Sequence, residues 1–441
     1  MAPNAVASAA SLGQGVSVVR SFPMTKESAT SVANAPVPEL GSETGGHLSA
    51  RTSVADVVNP PQQVYRVDSS KYATAAVSPF ATPGDPISPQ ECVDRYLGGF
   101  SGPVLYKNRF AACHSEFLVV DYYSCSGGGC KPVGRAAAKW AATWNMSWNA
   151  REFTVTGRLW DWTIVGNVPL TVNLGVEFAC GTPGVPGTTA KCNYPEYGWS
   201  KSIQGWRTSD TVTTLVKTSG EDPANPHDPT EVNGEKRTFY ALQTYAYTYG
   251  GPGPYERYSQ TTIVTTPFRC DIARSQVPQY AKSSDCVFHA ATGWFTLNVN
   301  DPAIHESAQL IYDAHNNIGA TYPGNTGKYI PGKIGVTEPL SRLYYDKRLR
   351  DLNNTTAYNA CVAHWGPNFK DRPDGGKNDC DEFPFATTYE GAGTVTDGML
   401  RTYAVRPVLN TQNQAAGSRL SLFLSEDHLL DGDNFYVTAN L

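Results

Sequence analysis

The chain has 441 residues and a mass of 47.7 kDa, too long for one small module, so two or three domains are expected. With 40% hydrophobic and 17% charged residues, 24 Tyr, 9 Trp, 40 Gly and 31 Pro, the composition is that of a β-leaning globular protein and excludes a coiled coil or a disordered chain. No apolar run reaches the roughly 18 residues of a membrane-spanning helix, and a formal charge of −5 excludes a global positive field that would draw in nucleic acid, so such chemistry would need a local site.

Residues 1–85 are rich in Ala, Ser, Thr, Val, Pro and Gly without a sustained period, which reads as a flexible leader or pro-segment. No basic stretch followed by an apolar core opens the chain, so the expectation is a mature or trimmed form whose secretion signal has been removed.

From 86 to 300 the signal is one strand after another. Val168, Leu170, Val172, Leu174, Val176 and Phe178 alternate strictly, as do Phe153 and Val155 with Leu159 beyond them, and Tyr245, Tyr247 and Tyr249 before a Gly-Gly-Pro-Gly turn at 250–253. Recurrent turn residues between the runs predict an antiparallel, sandwich-like domain rather than a βαβ fold. Trp140, Trp144, Trp148, Trp160 and Trp162 are assigned to packing between sheets, where aromatics bury the most area; sugar binding is the alternative.

Ten cysteines, Cys92, Cys113, Cys125, Cys130, Cys180, Cys192, Cys270, Cys286, Cys361 and Cys380, form five short loops if paired in order, the arrangement of lowest closure entropy. Such pairing implies an oxidising compartment, hence a secreted protein. A zinc site at Cys113, His114, Cys125 and Cys130 lacks paired C-x-x-C knuckles and is set aside. Asn145, Asn353 and Asn354 stand in glycosylation sequons.

Beyond residue 300 the period becomes helical. Asp301-Pro302 reads as a helix start, with Ala303, Ser307, Leu310, Ile311 and Ala314 on one face, and a second helix is expected from Pro339 through Leu343, Leu349 and Leu352. His305-Glu306 lacks the second His of a zinc-protease motif, since Gln309 stands at that position.

The densest polar cluster lies in 361–391. Asp381-Glu382 follows Cys380 and precedes the apolar Phe383-Pro384-Phe385-Ala386, so the pair is expected to be held in a site where one carboxylate binds a metal and the other takes a proton from water. In 405–424, Val405–Val408 reads as a strand end, Thr411 as a cap, and Gln412–Leu424 as a helix with Asn413, Ala416, Gly417, Leu420 and Leu424 on one face. Asn413 thereby lies at the buried edge of the first turn, where an amide needs a partner, near backbone N–H groups that favour a phosphate. Asp431–Ala439 reads as a turn and a final strand.

These residues carry a resemblance. CDEFPFATTYEG at 380–391, the spaced pattern VR-x-V-x4-N-x2-AGS from Val405 to Ser418 and the ending LDGDNFYV are similar to the motifs of the NucA/NucB family of secreted bacterial deoxyribonucleases, in its longer actinobacterial form, over about 300–441. The resemblance implies an α+β nuclease domain at 301–441 with a ββα-metal-like core. It implies a metal-dependent endonuclease using one Mg²⁺ or Mn²⁺ and acting on DNA, and the sequence leaves open whether RNA is also cleaved. By the same resemblance Asp381 is the general base, Glu382 supports the metal, Asn413 is a direct ligand, and Glu390 is an outer ligand. Arg406, Gln414, Ser418 and Arg419 would contact phosphate. Ala416 departs from the glycine expected in many relatives.

His364 is the alternative base, and Lys347, Arg348 and Arg350 are a candidate phosphate track. Between 341 and 441, 10 Lys plus Arg against 13 Asp plus Glu predict weak, salt-sensitive nonspecific DNA binding. Two other readings follow from the same residues: a secreted glycan- or cell-wall-binding protein with an inactive nuclease-like domain, and a toxin countered by an inhibitor protein.

Overall fold

A computed structural model describes residues 15–40, 54–73, 84–126, 129–147, 150–183, 188–193, 198–220, 237–249, 257–271, 285–323 and 327–441. Its main body is built from two mostly antiparallel sheets. The first has seven strands, with Gly15–Pro23, Ala111–Ser126, Gly129–Met146, Glu152–Gly166, Thr211–Ser219 and Lys191–Asn193 in spatial order and Leu105–Asn108 paired to the second of these. The second orders Cys286–Val287, Arg257–Asp271, Arg237–Tyr249, Asn173–Gly181 and Gly198–Ser202. Their inner faces meet through large rings: Phe153 packs edge-on against Phe268 at 5.1 Å and Trp140 stacks on Phe178 at 6.3 Å.

The tryptophans accordingly fill the core. Trp140, Trp144 and Trp206 are fully buried, while Trp160 and Trp162 are half-buried. Trp148 and the 250–253 turn lie outside the described residues. All ten cysteines pair in sequential order, which removes the zinc alternative.

Several expectations are corrected. Residues 15–23 and 63–68, assigned to a flexible leader, are strands: the first runs antiparallel to 116–124 and the second parallel to 291–296. Neither shows a local period because each is held by a strand about 100 or more residues away. The alternation from Val168 becomes strand only at Asn173, since Pro169 lacks an N–H and its carbonyl accepts from Val172 N in a turn.

The C-terminal part adds a four-stranded sheet, Leu340–Ser341, Asn434–Asn440, Ala291–Asn298 and Gln63–Asp68. The 291–298 strand, expected to close the β-rich region, is parallel to both 434–440 and 63–68. Helix Asn410–Glu426 lies on this sheet, Phe423 stacking on Phe295 at 4.9 Å. Gly293 allows that approach, because a Cβ there would meet the Phe423 ring at 2.8 Å. Helix His305–Asn316 starts at His305 rather than at Pro302; Asp301 instead caps a preceding turn through Ala303 N. The next helix, Lys347–Trp365, begins well after Pro339, where Asp346 accepts from Leu349 N. One hydrophobic core continues from the sandwich into the C-terminal sheet and the 305–316 and 410–426 helices, while the 347–365 helix packs in a separate cluster through Ala357 and Cys361.

A buried ionic knot joins them. Asp433 receives Arg269 at 2.6 Å through both nitrogens and Arg109 at 2.9 Å, with Arg237 at 3.5 Å. Burial alone would raise this carboxyl, but the arginines hold it well below the usual carboxylate range. Beside it, His428 Nε2 sits 2.9 Å from the Asp271 carboxylate and Nδ1 3.3 Å from Asp285.

Candidate active site

Strand Asn378–Phe383 pairs antiparallel with Ala404–Leu409, setting Asp381 opposite Arg406 and Glu382 opposite Val405. Alternation fixes what each position meets. Cys380 ties the strand to the 347–365 helix through Cys361, and Phe383 is fully buried edge-on against His315 of the 305–316 helix at 5.0 Å. The apolar run after the carboxylates is largely buried, as expected from its sequence.

Helix 410–426 follows the second strand directly. Thr411 is not its cap, for no side chain of its own caps it. Glu306 of the 305–316 helix does so from outside: its Oε2 accepts from Leu409 N at 2.7 Å, while Glu306 N donates to Gln412 Oε1 at 2.7 Å. Arg372 forks onto both Glu306 oxygens at 3.1 Å and onto Asn378 Oδ1 at 2.7 Å. One carboxylate thus aligns the two helices with the start of the 378–383 strand.

Between the 347–365 and 410–426 helices opens a cleft of ≈ 650 Å³. One wall carries Arg350, Asn354 and Tyr358, the other Asn413, Gly417, Leu420, Ser421 and Leu424; Asp379 through Glu382 line it from the strand, with Arg342, Tyr344 and Lys370 at its margins. Asp381, Glu382 and Asn413, separated by up to 32 positions in sequence, therefore share one cavity.

Asp381 is 9% exposed. Burial pushes its carboxyl up to about 6, assisted by Asp379 and opposed by Ser307, by the Glu382 N–H it accepts at 2.9 Å, and by Arg406. Glu382 is pushed up to about 8, first by burial and then by the Asp381 charge, against a hydrogen bond from Ala386 N at 3.2 Å. Asn413 is half-buried and its amide has no hydrogen bond among the described residues.

The remaining candidates are not gathered here. Glu390 accepts from Ser341 N at 2.8 Å and Ser341 Oγ at 3.0 Å and does not line the cleft. Arg406 is paired with Asp313 at 2.8 Å, and Arg419 is buried in an ion pair with Asp301 at 2.6 Å. Gln414 and Ser418 are exposed, the hydroxyl donating to Gln414 O. His364 stacks on Tyr322 at 4.2 Å, outside the lining residues. Of the expected phosphate track, Lys347 pairs with Asp351 and only Arg350 reaches the cleft.

The sequence reading missed Asn354, Tyr358 and Lys370 as neighbours of the carboxylates. The spacing of 350, 354 and 358 marks one helix face, which is set only by a helix beginning at Lys347 rather than near Pro339. Sequon Asn353, adjacent to this wall, is fully buried and donates to Ala386 O and Thr388 O.

Residues 336–438, which contain the carboxylate strand, its partner and the 410–426 helix, match the family model described as Deoxyribonuclease NucA/NucB. No curated protein and no solved structure matches the chain.

Proposed function

We propose that this protein is a secreted, metal-dependent endonuclease that hydrolyses phosphodiester bonds of DNA in the cleft between the 347–365 and 410–426 helices. The observation that carries this reading is the meeting of the buried Asp381 and half-buried Glu382, both with raised carboxyls, and a free amide in one cleft, inside the stretch that matches a deoxyribonuclease family. Two antiparallel strands followed directly by a helix, 378–383, 404–409 and 410–426, support a likeness to ββα-metal nucleases. Five disulfides support an oxidising destination.

The donor set suits a hard cation. Glu382 and Asn413 offer oxygen atoms, and a carboxyl raised by burial and by a neighbouring charge is relieved by a positive ion. Among the described residues no three His, Cys, Asp or Glu side chains converge, so the ion would keep several waters, as Mg²⁺ prefers. When bound, such a cation neutralises charge on the phosphate and assists the departing oxygen.

Asp381 serves as the base. With its carboxyl near 6 it is largely ionised at neutral pH and still basic enough to take a proton from a water molecule. Arg406, opposite it, favours the ionised form, and the Glu382 N–H orients one oxygen. Asp381→Asn should reduce plasmid cleavage at least about 100-fold, the scale of general-base catalysis. Full activity in the variant would refute the role.

A further inference from the structure

The cations expected to hold phosphate, Arg406 and Arg419, are occupied by Asp313 and Asp301. Of the three others that line the cleft, Arg342 is buried and donates to Leu429 O; the remaining two are Arg350, half-buried on the 347–365 helix, and Lys370, exposed on the following turn. Neither has an ion pair among the described residues. Lys370 Nζ lies 5.3 Å from the centre of the Tyr358 ring, and Tyr358, two helical turns from Arg350, is 43% exposed although large and aromatic. The separation of Arg350 from Tyr358 along the helix is about 12 Å.

We propose that Arg350, Tyr358 and Lys370 form a single-strand subsite beside the carboxylates, in which an unpaired base stacks on Tyr358 and the flanking phosphates meet Lys370 and Arg350. This rests on the proposed nuclease function and names how its substrate is held. Exposed aromatics next to cations are what a single strand requires, since every base has a face to stack and each step carries a phosphate. A duplex keeps its bases stacked on one another, so it engages the two cations and not the ring. Asn354, between them on the same wall, supplies an amide without a competing charge.

The test uses the full-length oxidised protein in EDTA, where binding is separated from cleavage, with fluorescent single-stranded and duplex DNA oligonucleotides. Tyr358→Ala should weaken single-strand binding about 10-fold and leave duplex binding unchanged, while Tyr358→Phe restores it. Lys370→Gln and Arg350→Gln should each weaken both substrates and reduce the salt slope by about one. In cleavage assays with Mg²⁺, all three losses should fall on KM rather than kcat. Wild-type affinities in the three variants, or equal loss in Tyr358→Ala for duplex and single strand, would overturn the subsite. If the wild type binds as described but cleaves nothing with any metal, the nuclease reading fails and the subsite stands; normal cleavage with unchanged KM in the variants does the reverse.

Discussion

Replacing Asp381 by Asn should make the protein more stable while abolishing its activity, and the gain should depend on pH. The native carboxyl lies near 6 against an ordinary value of 3.8, because it is buried. A folded-state value raised in this way means that the native form holds the proton more tightly than the unfolded chain. Its stabilising contribution is complete below about pH 3.8 and is lost as pH rises through about 6. At about 1.4 kcal/mol per pH unit, ionised Asp381 costs about 3 kcal/mol at pH 8 relative to strongly acid solution, and about 2 kcal/mol of that appears between pH 4.5 and 8. Asn keeps an oxygen to accept from Glu382 N and carries no charge, so it escapes this cost; it also removes the charge that raises Glu382. Urea unfolding of wild type and variant in EDTA at pH 4.5 and pH 8 measures the difference directly. A stability advantage of the variant larger at pH 8 by about 2 kcal/mol supports the account. A difference that does not change with pH, or a variant less stable at pH 8 than wild type, refutes a buried, destabilised Asp381.

Other consequences follow from the same structure. Cleavage at saturating Mg²⁺ should rise with pH through about 6 as Asp381 loses its proton, and Mg²⁺ affinity should strengthen up to about pH 8 as the ion displaces the proton held by Glu382; initial rates and metal titrations across pH 5–9 would show both. Glu306→Ala removes the acceptor of Leu409 N and the partner of Arg372, so it should cost about 1–2 kcal/mol on the scale of a lost helix cap and lower kcat; thermal unfolding and kinetics check it. Truncation to residue 86 removes the 63–68 strand from the sheet that supports the 410–426 helix and the Tyr65 hydroxyl bonded to Asp427. Such a protein should lose soluble yield or unfold at lower temperature, whereas unchanged yield and melting temperature would restore the reading of residues 1–85 as a flexible leader.

The sequence was legible where its signals are local. Cysteines close enough to form short loops pair in order, and the 404–409 strand and the helix after it follow from the apolar residues Val405, Val408, Leu420 and Leu424, whereas the 378–383 strand beside them has no such signal. The strict period of 173–181 is visible because one face meets the core and the other is less buried. What was not legible depends on distant partners. Gln63–Asp68 is a strand only because Ala291–Thr296 lies beside it, and the 291–298 strand joins the C-terminal sheet rather than the sandwich because 434–440 pairs with it. The site shows the same division. Asp381, Glu382 and Asn413, singled out by the motif residues, line one cleft, but Arg406 and Arg419 pair with Asp313 and Asp301 across helices, and a side chain's partner across the fold leaves no spacing to read.

The most direct test of the central claim is plasmid digestion by purified, oxidised protein with Mg²⁺, Mn²⁺ or EDTA, beside the Asn413→Ala variant and with RNA as a second substrate. The account predicts nicking of DNA that requires the metal, stops in EDTA and falls at least about 10-fold in the variant, on the scale of a lost metal-site contact, with activity partly recovered at higher metal concentration. Cleavage that persists in EDTA, or a variant as active as wild type at limiting Mg²⁺, would contradict it.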